Sequence, residues 1–244
     1  MTDNVCMNIL ADINAFTEIM YQHRLSNLVN RMQESATIQM AQKARDLASK
    51  GIEVINLSLG EPDFDTPKFI KEEAKFALDE GYTKYTPVPG LVELREAIRD
   101  KFIRDNGLEY GLKQIMVSNG AKQCIANASL ALLNPGDEVV IFAPYWVSYA
   151  EIVKMTGAVP VFIKSGIDQD FKVTPDQLST AITERTKIVL YSSPCNPTGS
   201  AFSRSELEAL AVVIKKHDDI IVISDEIYEY ILFEQDHVSI AGIE

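Results

Sequence analysis

Short apolar runs alternate with amphipathic stretches along most of the chain. Six runs rich in β-branched residues fall at positions 54–57, 115–118, 138–142, 159–163, 187–191 and 220–224. Most are apolar on both faces, as buried parallel strands are. Stretches with helical spacing lie among them, at positions 68–79, 91–105, 121–133, 145–155, 175–182 and 203–216. This alternation predicts an α/β fold in which helices flank a mostly parallel sheet.

Capping residues support several of these helix boundaries. Thr66 precedes a proline, and Thr174 precedes another, so each pair predicts a cap followed by proline in the first helical turn. Ser203 has Glu206 three residues later, which is the pattern of a capping box. We therefore expect helices to begin just after these positions.

Composition narrows the functional classes. The chain has 244 residues, 46% hydrophobic and 24% charged, which is typical of a folded globular protein. No apolar run approaches the roughly 20 residues of a membrane span, so no membrane partner is expected. The net charge of −12 repels phosphate backbones and argues against nucleic-acid binding.

Cysteine and histidine usage indicates neither a disulfide framework nor a metal site. The three cysteines are widely spaced and odd in number, which favours a reducing cytoplasm. Cys124 and Cys195 are interpreted as packing residues, since no histidine motif accompanies either. The histidines are scattered and are predicted to lie on the surface: His23, His217 and His237.

Two candidate binding elements follow predicted strands. Residues 119–122 open a helix after the run at 115–118, so free N–H groups near Gly120 and Lys122 offer an anion site. The plainer reading is a turn glycine beside an exposed lysine. Trp146, the single tryptophan, follows the run at 138–142, where a planar ligand of an α/β sheet would bind, although a half-buried core aromatic explains it equally well.

Two further elements occupy the same kind of position. Asn196 lies between prolines in the loop 193–199, which would hold its amide rigidly or simply form a turn. Asp225 ends the run at 220–224 and could pair with a cationic ring nitrogen, with Tyr228 as a phenolic donor nearby. An aspartate there is also a common cap or turn former. Each motif is weak alone, but all four follow strand ends of one predicted sheet.

The chain resembles the class I (fold type I) pyridoxal-phosphate-dependent aminotransferases, and is most similar to the bacterial aspartate aminotransferases. The matching segments are Leu-Ser-Leu-Gly-Glu-Pro-Asp-Phe (57–64), Lys-Tyr-Thr-Pro-Val-Pro-Gly (84–90), Asn-Gly-Ala-Lys-Gln (119–123), Pro-Tyr-Trp-Val-Ser-Tyr (144–149), Asn-Pro-Thr-Gly (196–199) and Ser-Asp-Glu-Ile-Tyr (224–228). The resemblance implies an extension at 1–24, an N-terminal arm and part of a small domain at 25–65, and the N-terminal portion of the cofactor-binding large domain at 66–244.

Carried onto this sequence, the resemblance implies pyridoxal 5'-phosphate as cofactor. The helix N-terminus at Gly120, with Ala121 and Lys122, would bind its phosphate. Trp146 would stack on the pyridine ring. Asp225 would keep the ring nitrogen protonated, which deepens the electron sink that amino transfer needs.

The remaining implied roles concern the ring oxygen, the substrate and a second subunit. Asn196 and Tyr228 would hydrogen-bond the ring 3-oxygen, and the Asn196–Pro197 peptide is expected to be cis. Gly60, with Trp146 and Asn196, would line the pocket for the amino acid. Tyr85 would reach the phosphate of a neighbouring subunit, so a homodimer is implied.

One family element is missing from the sequence. The Schiff-base lysine follows the Asp-x-x-Tyr motif in the family, whereas no Lys or Arg occurs after Lys216 here. Lys122 is no substitute, since it would lie at the phosphate rather than the aldehyde. The resemblance also implies two more strands between the runs at 115–118 and 187–191. We therefore expect an inactive fragment, whose edges would be unpaired.

Three functions stay open at this point. The first is a transaminase that uses aspartate and 2-oxoglutarate. The second is a β-lyase or decarboxylase of the same fold type. The third is a non-catalytic fragment or pseudoenzyme that only binds pyridoxal phosphate or a partner chain.

Overall fold

Four of the predicted strands form one parallel sheet. The computed structural model describes residues 25–32, 36–57, 60 and 62–243. The strands are β1 Glu138–Ala143, β2 Val159–Lys164, β3 Thr186–Ser192 and β4 Ile221–Asp225. Their order is β2-β1-β3-β4, and every neighbouring pair is parallel. The predicted fold class is confirmed, and the predicted extension at 1–24 lies outside the described residues.

Helices connect and flank these strands. In the described part of the chain they are α1 Asn27–Arg31, α2 Ala36–Ser49, α3 Lys68–Asp79, α4 Val92–Lys101, α5 Ala121–Leu132, α6 Ser148–Met155, α7 Pro175–Ala181 and α8 Arg204–Ile214. A π-helical turn, Phe102–Asn106, continues α4. Three short 3-10 turns occur at Leu112–Gln114, Ile167–Gln169 and Ile240–Gly242. No helix among the described residues is both long enough and apolar enough to cross a membrane.

The sheet is covered on both faces, and the alternation of side chains along each strand builds two cores. On one face, Val139 and Ile141 of β1 pack in a cluster with side chains of α5 and α6. On the other face, Val140 and Phe142 pack in a cluster with side chains of α7 and α8. Residues 139–141 are fully buried. This explains why the run is apolar at every position.

Two predicted strands are not strands in the structure. Residues 54–57 and 115–118 have no ladder partner among the described residues. The segment 115–118 is held by a turn instead, through a 3.0 Å hydrogen bond from the Val117 N–H to the Pro89 carbonyl. Gly90 belongs to that turn with φ of 102°, and a Cβ on it would lie 2.8 Å from the Val117 side chain. Apolar sequence alone was insufficient, because a strand also requires a partner.

The predicted helix starts are mostly confirmed. Thr174 and Ser203 each cap their helix in a full capping box, with Gln177 and Glu206 as the reciprocal partners. At α3 the prediction was wrong, because Pro67 itself occupies the N-cap position and no side chain caps the helix.

Two predictions about isolated polar side chains were also wrong. His237 is not a surface residue: its side chain is 9% exposed and its Nε2 lies 3.0 Å from Glu226. Cys124 is exposed rather than packed, whereas Cys195 is half-buried with its thiol 3.4 Å from the Pro144 carbonyl. Sequence spacing indicated neither the His237–Glu226 contact nor the Cys195–Pro144 contact. Glu226 and His237 are separated by the turn after β4, and Pro144 belongs to a different loop from Cys195.

Candidate active site

The predicted binding loops meet at the carboxyl edge of the sheet. Since β1, β3 and β4 are parallel, the residues that follow them emerge on the same side. Ser192 at the end of β3 pairs in register with Asp225 at the end of β4. The Ser193 N–H then donates to the Asp225 carbonyl at 3.1 Å. The loop that carries Asn196 is thereby fastened beside Asp225.

The N-terminus of α5 provides a positive end to this edge. Gly120 is the N-cap residue with φ of 85°, a conformation that favours glycine. The first N–H groups of the helix, at Ala121 and Lys122, have no acceptor one turn earlier in the helix. No acidic residue lies in the first turn, so nothing there neutralises the helix dipole. This end of the site is suited to an anion.

Lys122 and Trp146 contact each other across the site. The Lys122 ammonium lies 4.9 Å from the centre of the indole ring. A cation–π contact at an exposed site is worth about 0.5–1 kcal/mol. This is weak enough for a planar anionic ligand to displace. The two residues that the sequence predicted for the phosphate and for ring stacking are therefore neighbours.

A buried phenol holds the carboxylate of Asp225. The Tyr149 hydroxyl donates to Asp225 Oδ2 at 2.6 Å, and the Ile227 N–H donates to Oδ1 at 3.3 Å. Tyr149 is fully buried, and burial, followed by the bond to Asp225, raises its pKa well above the ordinary value. The phenol therefore stays protonated and donates at every physiological pH. Its ring also meets Trp146 edge-on, at 5.6 Å between centroids.

Asn196 and Tyr228 lie on the loops beside this carboxylate. The Asn196 N–H donates to the Ser192 hydroxyl at 3.4 Å, and the Asn196–Pro197 peptide is cis, as predicted. Tyr228 lies half-buried in the turn after β4. The same turn is anchored by Glu229, which accepts hydrogen bonds from Lys101 and Asn106 of the α4 region.

Two of the predicted residues are not brought to the rest. Tyr85 is fully exposed, and Gly60 is exposed as well. No contact within the described ranges joins either of them to Trp146 or Asp225. Their predicted roles involve another subunit and a bound substrate, so these predictions are untested.

Two cavities bear on the position of this site. A cavity of about 570 Å³ lies elsewhere, between α2 and the segment 54–57. A second cavity of about 330 Å³ is lined by both Ala121 and Asp225 and thus connects the helix N-terminus with the carboxylate. The second cavity includes Ala121 and Asp225 of the candidate site but is not lined by Lys122, Trp146 or Asn196. The first offers no carboxylate.

The sequence reasoning missed two residues of this site. Tyr149 was not among the predicted site residues, although it lies in the segment 144–149, three residues after Trp146. Glu226 was also missed, and it accepts hydrogen bonds from Ser224, Ser239 and His237 on the flank of the Tyr228 turn. A signal for Tyr149 existed in its spacing, but no signal marked Glu226.

Comparison with known protein families decides the assignment. Residues 52–244 match the family model described as aminotransferase class I and II. This chain belongs to that family. As an aminotransferase family member, it shares its α/β architecture with solved relatives. The aspartate aminotransferase from Rhizobium meliloti superposes with a TM-score of 0.87 at 40% identity, over 90% of this chain and 55% of that one. The aspartate aminotransferase from Thermus thermophilus with maleate gives a TM-score of 0.86 at 44% identity, over 90% of this chain and 57% of the other.

Curated relatives carry aminotransferase names. An aspartate/prephenate aminotransferase of Cereibacter sphaeroides is 50% identical over 210 residues, which is 86% of this chain and 52% of the relative. An aspartate aminotransferase of Bacillus sp. is 46% identical over 220 residues, 90% of this chain and 56% of the relative. This aminotransferase chain thus spans about half the length of the curated relatives it matches.

The residues present fit the family's cofactor. Pyridoxal phosphate carries an anionic phosphate and a basic ring nitrogen on a planar ring. The aminotransferase chain offers an uncapped helix N-terminus with Lys122, an indole at Trp146 and a carboxylate at Asp225 along one sheet edge. The buried Tyr149 phenol donates to that carboxylate and restricts its orientation. The donor set therefore suits a ligand with these three features.

Proposed function

We propose that this chain holds the cofactor in a pyridoxal-phosphate-dependent transaminase that moves an amino group from aspartate to 2-oxoglutarate. The observation that carries the proposal is the Asp225 carboxylate, fixed by a buried phenol at 2.6 Å. It lies on the same sheet edge as the Lys122–Trp146 contact. Family membership and the names of the curated relatives support the reaction class.

Asp225 has the central role in the proposal. Its negative charge attracts the proton of a pyridine nitrogen and keeps that nitrogen cationic. Tyr149 donates a hydrogen bond to one carboxylate oxygen and keeps its own proton, because burial and then the bond to Asp225 raise the pKa of the phenol. When bound, pyridoxal phosphate supplies the electron sink for the bond that breaks at the amino acid Cα.

The other residues orient the ring and bind its phosphate. Ala121 and Lys122 receive the phosphate at the helix N-terminus, where N–H groups and the dipole favour an anion. Trp146 presents an indole face that fixes a ring in one plane. Asn196 and Tyr228 donate to the ring 3-oxygen. Removal of the Cα proton is assigned to a lysine in the part of the relatives that this chain does not span.

The names of the relatives favour an acidic substrate. The curated relatives are named for aspartate, and several also for prephenate, which is itself a 2-oxo acid. The Thermus thermophilus relative was solved with maleate, a dicarboxylate. We therefore propose aspartate as the amino donor. 2-Oxoglutarate and prephenate are the two candidate acceptors, and their rates of reaction should be compared.

The proposal includes a homodimer and a cytoplasmic location. Tyr85 is fully exposed, so its side chain is accessible to a neighbouring subunit. Cys124 and Cys195, the cysteines in the described part of the chain, are free thiols, which suits a reducing compartment.

Cofactor binding can be tested on the chain as it exists. Pyridoxamine 5'-phosphate is the suitable probe, because it has no aldehyde and does not react with surface lysines. We expect it to quench the fluorescence of Trp146, the single tryptophan. Asp225→Asn should raise the dissociation constant at least tenfold, because the neutral amide no longer attracts the protonated ring nitrogen.

The matched control is Asp170→Asn. Asp170 is an exposed carboxylate that pairs with Lys172 on a different loop, so its loss removes the same charge outside the site. The probe should bind this variant as tightly as the original chain. Absence of quenching in the original chain, or equal weakening in both variants, would show that the site does not hold the cofactor.

A further inference from the structure

The turn that carries Tyr228 is shaped by its own backbone. It follows β4 directly, and the Glu229 N–H donates to the Glu226 carbonyl at 3.0 Å. The Ile231 N–H donates to the Tyr228 carbonyl at 2.8 Å. These two bonds shape the turn but do not join it to another element of the fold. Its position relative to the rest of the site therefore depends on contacts made by side chains.

Glu229 joins the turn to the helical segment 101–106. One carboxylate oxygen accepts from the Lys101 ammonium, and the other accepts from the Asn106 amide at 3.1 Å. The Lys101 ammonium also donates to the Asn106 amide oxygen at 2.9 Å, so each of the three side chains contacts the other two. The side chains of Lys101 and Glu229 are only 22% and 15% exposed. Mutual hydrogen bonds in this shielded position hold the three groups in one geometry, unlike a loose surface pair.

A π-helical turn brings Lys101 and Asn106 together. Lys101 ends α4, and Asn106 ends the π-helical turn that continues it. In a regular α-helix, residues five positions apart point about 140° away from each other. The wider π-helical turn places them on the same side, where both side chains contact Glu229. Such turns are rare and occur frequently at functional sites.

Tyr230 provides a second attachment to the same π-helical turn. Its hydroxyl donates to the Asp105 carboxylate, and the Lys101 ammonium lies 5.3 Å from the centre of its ring. The two residues after Tyr228 are thus both attached to this helical segment. Before Tyr228, Asp225 is held at the end of β4 by its register with β3. Tyr228 therefore lies between a fixed strand end and a fixed helical segment.

We propose that Glu229 is a positioning residue, which through Lys101 and Asn106 holds the Tyr228 hydroxyl where it can donate to the 3-oxygen of the cofactor ring. The inference rests on the proposed function, in which Tyr228 has that role. Both Glu229 carboxylate oxygens accept from the segment 101–106, so Glu229 acts through the turn and not on the ring. Without this attachment the Tyr228 hydroxyl would occupy several positions, and its bond to the 3-oxygen would form only part of the time.

The test uses the full 244-residue chain with pyridoxamine 5'-phosphate as the probe. The absorbance of the bound probe at pH 7 reports the ionised fraction of its 3-hydroxyl, which a hydrogen-bond donor such as Tyr228 increases. Glu229→Gln replaces one accepting oxygen by an amide NH2, which cannot accept from Lys101 or Asn106. It should raise the dissociation constant about fivefold and lower the ionised fraction. In a Tyr228→Phe background the same substitution should change neither quantity, because the residue through which it acts is absent.

Two further variants vary the same contact more gently. Asn106→Ala removes one donor to Glu229 and keeps the ion pair, so it should change both measurements in the same direction as Glu229→Gln but by less. It keeps the proposal testable if Glu229→Gln does not fold. Lys101→Arg retains the positive charge opposite Glu229 and should keep the dissociation constant and the absorbance close to those of the original chain.

Glu138→Gln is the matched control. Glu138 is also a shielded carboxylate, 6% exposed, and it pairs with Arg185. It begins β1, at the end of the strand opposite the site. The substitution removes a shielded ion pair and lowers stability without touching the turn after β4. The dissociation constant and the absorbance of the bound probe should not change, which separates positioning from a general loss of stability.

The outcomes separate this inference from the function on which it rests. If the original chain does not bind the probe, the proposed function is wrong and the inference is wrong with it. If the original chain binds the probe, three results contradict the inference alone. Glu229→Gln leaves both measurements unchanged, or its effect persists in the Tyr228→Phe background, or Glu138→Gln produces the same change.

Discussion

Replacing Tyr149 by phenylalanine should measure how strongly the candidate site holds its carboxylate. The variant removes one hydroxyl and keeps the ring, so the contacts with Trp146 at 5.6 Å and Tyr145 at 6.5 Å are retained. A hydrogen bond to a charged group contributes about 1.5–3 kcal/mol. Tyr149 is fully buried, so its hydroxyl makes this hydrogen bond inside the protein rather than at the surface. We expect a loss of about 2 kcal/mol in unfolding free energy.

Urea denaturation followed by Trp146 fluorescence provides the assay. With a slope of about 3 kcal/mol per molar, a loss of about 2 kcal/mol lowers the midpoint by roughly 0.7 M. A double-mutant cycle with Asp225→Asn isolates the interaction from other effects of either substitution. A coupling energy under about 0.5 kcal/mol would refute the reasoning, because it would mean that the phenol and the carboxylate act independently.

The remaining predictions concern stability away from the site. Hydrogen bonds from Thr183 and then from Arg185 lower the pKa of Glu138, whose side chain is only 6% exposed. The stabilisation that the ionised Glu138 carboxylate provides is therefore complete above its ordinary pKa and is lost as the pH falls through the lowered pKa. Glu138→Gln should therefore cost about 1.5–3 kcal/mol at pH 7, and urea titrations should show the difference from the original chain shrinking below roughly pH 4. Ser203→Ala removes the side-chain cap of α8. It should lower the free energy of unfolding by about 1 kcal/mol, measured by thermal denaturation followed with circular dichroism.

The sequence was sufficient for elements whose determinants are local. Apolar runs bounded by turn residues predicted β1 through β4, and the capping boxes at Thr174 and Ser203 predicted the starts of two helices. The strand predictions for 54–57 and 115–118 were wrong because strand formation depends on a partner distant in sequence. The prediction of a Thr66 cap was wrong for a local reason, since a proline with extended ψ, here Pro67, can itself occupy the N-cap position.

From the sequence, only residues close after a predicted strand could be assigned to the site. Parallel topology brings residues after β1 and β4 to one edge, which explains why Trp146 and Asp225 were found. The Tyr149–Asp225 bond joins residues 76 positions apart. The pair depends on how α6 packs against the sheet, and sequence spacing does not specify that packing. The contact between Glu226 and His237 depends similarly on the path of the loop after β4.

Gly90 restricts which substitutions this region tolerates. Any side chain at position 90 would meet Val117 at 2.8 Å and would also have to adopt a φ of 102°. The two restrictions are independent, so relieving the crowding with a smaller residue at position 117 would leave the backbone strain in place. A saturation library at codon 90 should thus recover glycine alone, even in a background carrying Val117→Ala. Position 90 therefore couples the turn to the segment that leads into α5 through one close contact.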